Sequence, residues 1–180
     1  MKKTILIYGV IAGLISCSMF IGLMLLGKAG EIDHKNGAIY GYSLMILAFA
    51  FIFVATKITR DKYNGGTITF GKAFKVGLYI TLIASTVYVI VWLIDYYLFI
   101  PDFMEKYTAS IIDDLKASGA SRAEMEKQTE QMAMFSKMYK NPLFIVLLTY
   151  AEILPVGLVV SLINAWVMSR KKKVGVPMQA

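Results

Sequence analysis

Glu152 stands in YAEILPVGLVV, Tyr150 to Val160, a stretch otherwise apolar apart from Tyr150. An acid placed there has two chemical uses. It can take up and release protons, as the relay acids of proton-coupled transporters do. Alternatively it stays neutral and donates a hydrogen bond to a neighbouring helix, which specifies packing. An ionised carboxylate is expensive in an apolar medium unless it is paired. No Lys or Arg occurs in the central part of any of the long apolar stretches, so the neutral, hydrogen-bonding acid is the expected form. Tyr88, Ser85, Thr86, Ser16, Ser18 and Asn164 are its candidate partners. Pro155 and Gly157 follow closely and would loosen a helix beside the acid. One deep acid in so short a chain makes a sparse transport pathway, so the packing role is preferred at this stage. Asp95 lies beside Tyr96 and Tyr97 near the end of another apolar stretch, which reads as a wetted carboxylate in an interfacial aromatic belt. Glu152, Asp95 and Asn164 form the candidate intramembrane polar site.

Other chemistry has little to stand on. The chain has one His and one Cys, and no H-E-x-x-H, G-x-S-x-G or Walker sequence, so no enzymatic constellation is expected. His34 has only Glu31 and Asp33 nearby, short of the convergent ligands that a metal needs. Met104, Met125, Met132, Met134 and Met138 could supply soft thioethers to copper(I), but thioethers also fill helix seams adaptably, and that reading is preferred. No metal and no cofactor is expected.

The elements that must position these residues follow from hydropathy. At 57% apolar and 17% charged, the chain is too apolar for an ordinary soluble domain. Its apolar residues gather in blocks at about 4–27, 37–56, 76–100 and 142–168, each near or above the ~20 residues that cross a hydrocarbon core. Within lipid every backbone polar group must be satisfied inside its own segment, so each block is predicted as a helix, including the β-branched run VYVIVWLI. The expected fold is all-α, a single integral membrane four-helix bundle. LISC, ending at Cys17, resembles a lipoprotein signal, but SMFIGLMLLG continues the apolar run, so a full span with a buried cysteine is expected.

Between spans three and four, residues 101–141 predict an amphipathic helical hairpin on the outer side. Phe103, Tyr107, Ile111 and Leu115 recur every fourth residue, and Ser118-Gly119 should stop that helix. Ser121 and Glu124 form a capping box opening a second helix, with Met125, Gln128, Met132, Phe135 and Tyr139 as its seam. Asn141-Pro142 opens span four. In the loop 57–75, NGG starts a turn. Phe70 and Phe74 with Lys72 and Lys75 then read as an interfacial anchor of aromatic rings and snorkelling lysines.

The formal net charge of +7 follows the positive-inside rule. Lys2 and Lys3, the 57–75 loop and the tail at Arg170 to Lys173 are basic, while the other two loops are near neutral. Both termini are therefore expected in the cytoplasm. This distribution accounts for the charge without nucleic acid; the bilayer itself, with its anionic lipids, is the expected partner.

GGTITFGKAFKVGLYITLIAS, Gly65 to Ser85, and YAEILPVGLVVSLINAWVMSRKKK, Tyr150 to Lys173, resemble the bacterial domain of unknown function 4199 family over nearly the whole chain. The resemblance rests on Gly65, Gly66, Phe70, Phe74, Gly77, Glu152, Pro155 and Gly157. It implies a four-span bacterial inner-membrane protein and carries no functional residues with it. The leading expectation is a structural or accessory membrane protein that engages protein partners, or a second copy of itself, through the hairpin or its membrane faces. The alternative is a small proton-coupled transporter or channel component using Glu152.

Overall fold

The computed structural model describes residues 1–27 and 34–170, the side chains of 34–36 excepted. The expected roles of the loop around Glu31 to His34 and of the basic tail at Lys171 to Lys173 lie outside what it describes. Among the described residues every regular element is a helix. They are α1 Lys2–Ser16, α2 Ser18–Leu25, α3 His34–Phe49, α4 Phe51–Tyr63, α5 Phe70–Ile94, a π-helical turn Asp95–Phe99, α6 Phe103–Ala117, α7 Arg122–Tyr139 and α8 Pro142–Ser169. The stretches Gly37–Tyr63, Phe70–Phe99 and Pro142–Ser169 are long and apolar enough to cross a membrane, and α1 with α2 makes a fourth if the pair is one span. The chain is an all-α bundle with the composition of a membrane protein.

The first span departs from the straight helix expected over 4–27. It bends by 58° between α1 and α2. Beside the bend Ser16 Oγ donates to Ala12 O at 3.0 Å, but the same bond to i−4 at Thr59 and Thr149 leaves those helices continuous, so it does not by itself make the break. The helix of the second apolar block runs on past Thr56, carrying Lys57, Arg60 and Lys62 to Tyr63. At Ala50 it has one irregularity, where the amide is shared between Ile46 O and Leu47 O. The loop expected over 57–75 therefore shrinks to a tight connection. Gly65 and Gly66 hold φ of +61° and +82° there, the left-handed region in which glycine has no Cβ to clash. Thr69 then caps α5 by accepting from the Lys72 amide.

α5 is central and packs most extensively against α8 and α1. Both contacts depend on missing Cβ atoms. A Cβ on Gly77 would lie 2.7 Å from Ser161 Oγ, and one on Gly157 would collide with Thr81 and come within 2.8 Å of Phe49 Cζ. On the other side, Cβ atoms on Gly9 and Gly13 would lie 2.7 and 2.6 Å from Cβ of Ile83 and Val87. Gly9 and Gly13 are four residues apart, the spacing that lets two membrane helices approach closely. The outward faces of α8 carry Leu147, Leu162, Ile163 and Trp166, all exposed, as a helix apolar all round should in lipid.

The α6–α7 hairpin follows its sequence signals closely. Gly119, at φ +72°, ends α6 in a Schellman motif, with Ala120 N donating to Leu115 O and Gly119 N to Lys116 O. Ser121 and Glu124 complete a reciprocal capping box on α7. Asn141 Oδ1 accepts from Leu143 N at 3.0 Å and opens α8, with Pro142 in its first turn.

Two outcomes follow. Gly157→Ala should lower the thermal midpoint in detergent, at a cost of about 2 kcal/mol from overpacking. Gly71→Ala, where an added Cβ meets nothing within 4 Å, should leave it unchanged or higher. Equal midpoints for the two variants would remove the α5–α8 approach as a determinant of stability. Ser121→Ala should cost α7 about 1 kcal/mol, read as lost amide protection over its first turn. The Ser121 backbone amide, followed by its hydroxyl, holds the Glu124 carboxyl below its ordinary value of 4.5. The carboxylate half of the cap is thus complete above about pH 4.5 and is lost as pH falls through the lowered value. Protection factors that stay flat on acidification would contradict this.

Candidate functional site

The face of α5 turned into the bundle carries Thr81, Ser85, Tyr88 and Trp92, all buried. Its inner part meets polar groups from α4 and α8. Asn164 Nδ2 donates to Thr56 Oγ1 at 3.0 Å, and Thr81 Oγ lies 3.2 Å from Ser161 Oγ. Asn164 Oδ1 and Ser85 Oγ are buried without a partner among the described residues. Polar pairs of this kind tie membrane helices together without charge.

Further along α5 the packing opens into a cavity of about 320 Å³. Six helices contribute to it: Phe20 from α2, Gly41 from α3, Tyr88 and Trp92 from α5, Phe103 and Tyr107 from α6, Tyr139 from α7, and Thr149 and Glu152 from α8. The rings form a continuous wall. Trp92 lies 5.2 Å from Phe20 and 5.1 Å from Phe103, the latter edge-on at 86°. Phe103 in turn stacks on Tyr107 at 5.7 Å. The α6–α7 hairpin is drawn down onto this wall by Met104 and Tyr139, both buried in one cluster with Trp92, Ile100 and Ile145.

Glu152 faces this space. Its side chain is exposed, and no described residue hydrogen-bonds or ion-pairs with it. Three of the six expected partners are engaged elsewhere. Asn164 binds Thr56, Ser16 binds its own backbone, and Thr86 binds Leu82 O and the Tyr150 hydroxyl. The hydrogen bond across the bundle that sequence reasoning preferred is absent among the described residues, because the facing helices leave a cavity where it would form. Two tyrosines lie close enough to feel the acid, Tyr88 and Tyr139. Burial pushes the Tyr139 hydroxyl up to about 12, the Glu152 carboxylate adds in the same direction, and a hydrogen bond from the Trp92 side chain opposes it.

Asp95 is also placed differently from expectation. It is 2% exposed, so it is not a wetted carboxylate at the bundle surface, and its Oδ1 has no partner among the described residues. The physical reason is its register: Asp95 continues the buried stripe of α5 through Ser85, Tyr88 and Trp92 at three- and four-residue steps, and a π-helical turn begins there, closed by Ile100 N donating to Asp95 O at 3.0 Å. Wider turns of this type rotate the side chains that follow relative to those before. Glu152, Asp95 and Asn164 therefore do not share one site: Asn164 belongs to the pairing with Thr56, whereas Glu152 lines the cavity.

The remaining candidates are spread out. Phe70 and Phe74 stack at 6.4 Å with planes 6° apart, Lys75 is exposed, and the Lys72 ammonium donates to Asn64 Oδ1. Phe74 and Met168 pack against the buried cluster of Ile68, Ala73 and Ala165 where α5 and α8 meet. Of the five methionines in the hairpin, Met104 and Met132 are buried while Met134 and Met138 are exposed. Sequence reasoning passed over Phe20, Trp92 and Gly41 as cavity residues. The signal available for the first two was an aromatic at matching height on separate spans.

A family model described as "Protein of unknown function (DUF4199)" matches residues 7–170. No curated protein and no solved structure matches the chain.

Proposed function

The chain belongs to the DUF4199 family, and we propose that it is a multi-pass membrane protein that works by binding rather than by enzymatic chemistry, as a small proton-coupled transporter or channel component with Glu152 as the titrating group. One observation carries this reading: Glu152 is exposed to a cavity and has no described partner, although it sits within an apolar helix. A carboxyl kept for packing would be spent on a neighbouring helix; this one is left free to meet a ligand or a proton. The titratable residues that line the cavity with it are Tyr88 on α5, Tyr107 on α6 and Tyr139 on α7, and Tyr88 and Tyr139 are near enough to feel its charge. Among the described lining residues α2 and α3 supply no charge.

A second reading, an accessory protein that engages partners or a second copy of itself through the hairpin, is favoured by α7. Met134 at 67%, Met138 at 39% and Phe135 at 38% exposure put large apolar groups on its surface. For location, the proposal is the bacterial inner membrane with both termini in the cytoplasm and the hairpin outside. The resemblance described above supports the compartment. The cluster of Lys57, Arg60, Lys62, Lys72 and Lys75 around the α4–α5 connection supports the orientation.

Single cysteines introduced at Glu126 and Lys62 in a Cys17→Ala background should report orientation. An impermeant maleimide is expected to label position 126 and spare 62; the reverse pattern would overturn the topology. For Glu152, a hydrophobic carbodiimide reacts with the protonated carboxyl. In liposomes, modification at Glu152 should fade as pH rises and be absent in Glu152→Gln, and the same variant should abolish proton-linked flux. No modification at any pH would mean that the acid is sealed, and the coupled reading would fail.

A further inference from the structure

We propose that the cavity is a binding site for an organic ammonium ion, held between the Glu152 carboxylate and the faces of the aromatic wall. This rests on the reading of Glu152 as a cavity-facing acid and adds the class of ligand that it meets. Two features of the walls choose the charge of the occupant. The one ionisable carboxyl among the described lining residues is acidic, and no described lining residue is Lys, Arg or His. An anion would face repulsion from Glu152 with no cation among the described lining residues to offset it. A zwitterionic ligand would leave its own carboxylate unpaired, which is costly in an apolar space.

The aromatic wall selects among cations. Trp92, Tyr88, Phe103, Tyr107 and Tyr139 converge on the same space as Glu152, and ring faces attract a cation within about 6 Å of their centroids, most strongly when water is excluded. A bare metal ion would need several oxygen ligands at once, and the rest of the lining is glycine, alanine, methionine, leucine and phenylalanine, with the Thr149 hydroxyl as one exception. A quaternary or alkylated ammonium needs no such cage, because its surface is hydrocarbon and its charge is diffuse. At about 320 Å³ the space lies at the small end of ligand pockets, roughly 300 Å³ and above, and suits a compact amphiphile carrying a single ring or short chain.

The occupant would enter from the α3 side, which is lined by the small residues Gly37, Ala38 and Gly41; a Cβ on Gly41 would meet nothing within 4 Å among the described residues. An ammonium group could reach it either on a free amphiphile or on a lipid headgroup of the ethanolamine type. The chemistry recognised at Glu152 is the same in both cases.

The test uses the chain's own fluorescence. The sequence has two tryptophans, and Trp166 lies on the exposed face of α8 with Arg170 stacked 3.6 Å above its ring. Trp166→Phe leaves Trp92, in the cavity wall, as the only reporter. In maltoside micelles, which carry no ammonium, benzyltrimethylammonium should change Trp92 emission saturably, while phenylmethanesulfonate, an anion of similar shape, should not. Glu152→Gln should weaken binding of the cation about tenfold or more, and Phe103→Leu, which keeps the apolar volume, several-fold. Bound cation should also slow carbodiimide modification of Glu152. Added phosphatidylethanolamine that slows it alone would identify a lipid headgroup as the source; phosphatidylethanolamine without effect would identify a free ammonium. Equal binding of the anion, or native affinity in Glu152→Gln, would overturn the proposal. If Glu152 is modified in the expected pH-dependent way but the cation neither binds nor protects, the ligand class is wrong and the cavity-facing acid stands. If Glu152 is not modified at any pH, the underlying reading falls with it.

Discussion

The close approach of α5 and α8 governs the rest of the bundle. Gly77 admits Ser161 and Gly157 admits Thr81, two small-for-polar exchanges one helical turn apart on each helix. In lipid there is no hydrophobic force to pull helices together, so interfaces depend on van der Waals contact and interhelical hydrogen bonds. Removing side chains at these two glycines supplies both: the backbones come near enough to pack, and hydroxyls otherwise stranded in an apolar medium find each other. The Thr81–Ser161 contact exists because of that proximity, and Asn164 reaches Thr56 from one turn further along α8.

The same approach sets where the bundle must open. α5 and α8 are tightly joined at the Gly77 to Thr81 level, whereas large side chains replace glycine further along α5, with Tyr88 and Trp92 in place of small residues. Rings of that size hold neighbouring helices apart, and the hairpin above them fills only part of the gap through Phe103, Met104 and Tyr139. The cavity is thus the geometric complement of the glycine contact. Glu152 lies on α8 five residues before Gly157 and so falls on the open side of that boundary. The acid and the space it faces have one origin in how residue size is distributed along two helices.

Most of the architecture could be read from local signals. The capping box at Ser121, the stop at Gly119 and the start at Asn141-Pro142 are short-range chemistry, decided by residues a few positions apart, and the hairpin helices begin and end where those residues say. The apolar blocks likewise marked where long helices lie. What could not be read has no such marker in the sequence. The bend at Cys17 falls inside an uninterrupted apolar run that does not display it. Asp95 is buried where α5 passes into a π-helical turn. The freedom of Glu152 depends on five other helices converging on the cavity without supplying it a described hydrogen-bond partner, so the acid's identity was visible and its surroundings were not.

The bend in the first span has a consequence for the surrounding lipid. The 15 residues of α1 rise about 22 Å, while the eight of α2, turned by 58°, add only about 6 Å along the same axis. On another flank the 28 residues of α8 extend about 42 Å. Helix length is therefore unequal around the bundle, small along the α1–α2 pair and large along α8. If both cross one bilayer, a sheet of uniform thickness meets that difference by tilt of the longer helix or by local thinning and thickening of the lipid.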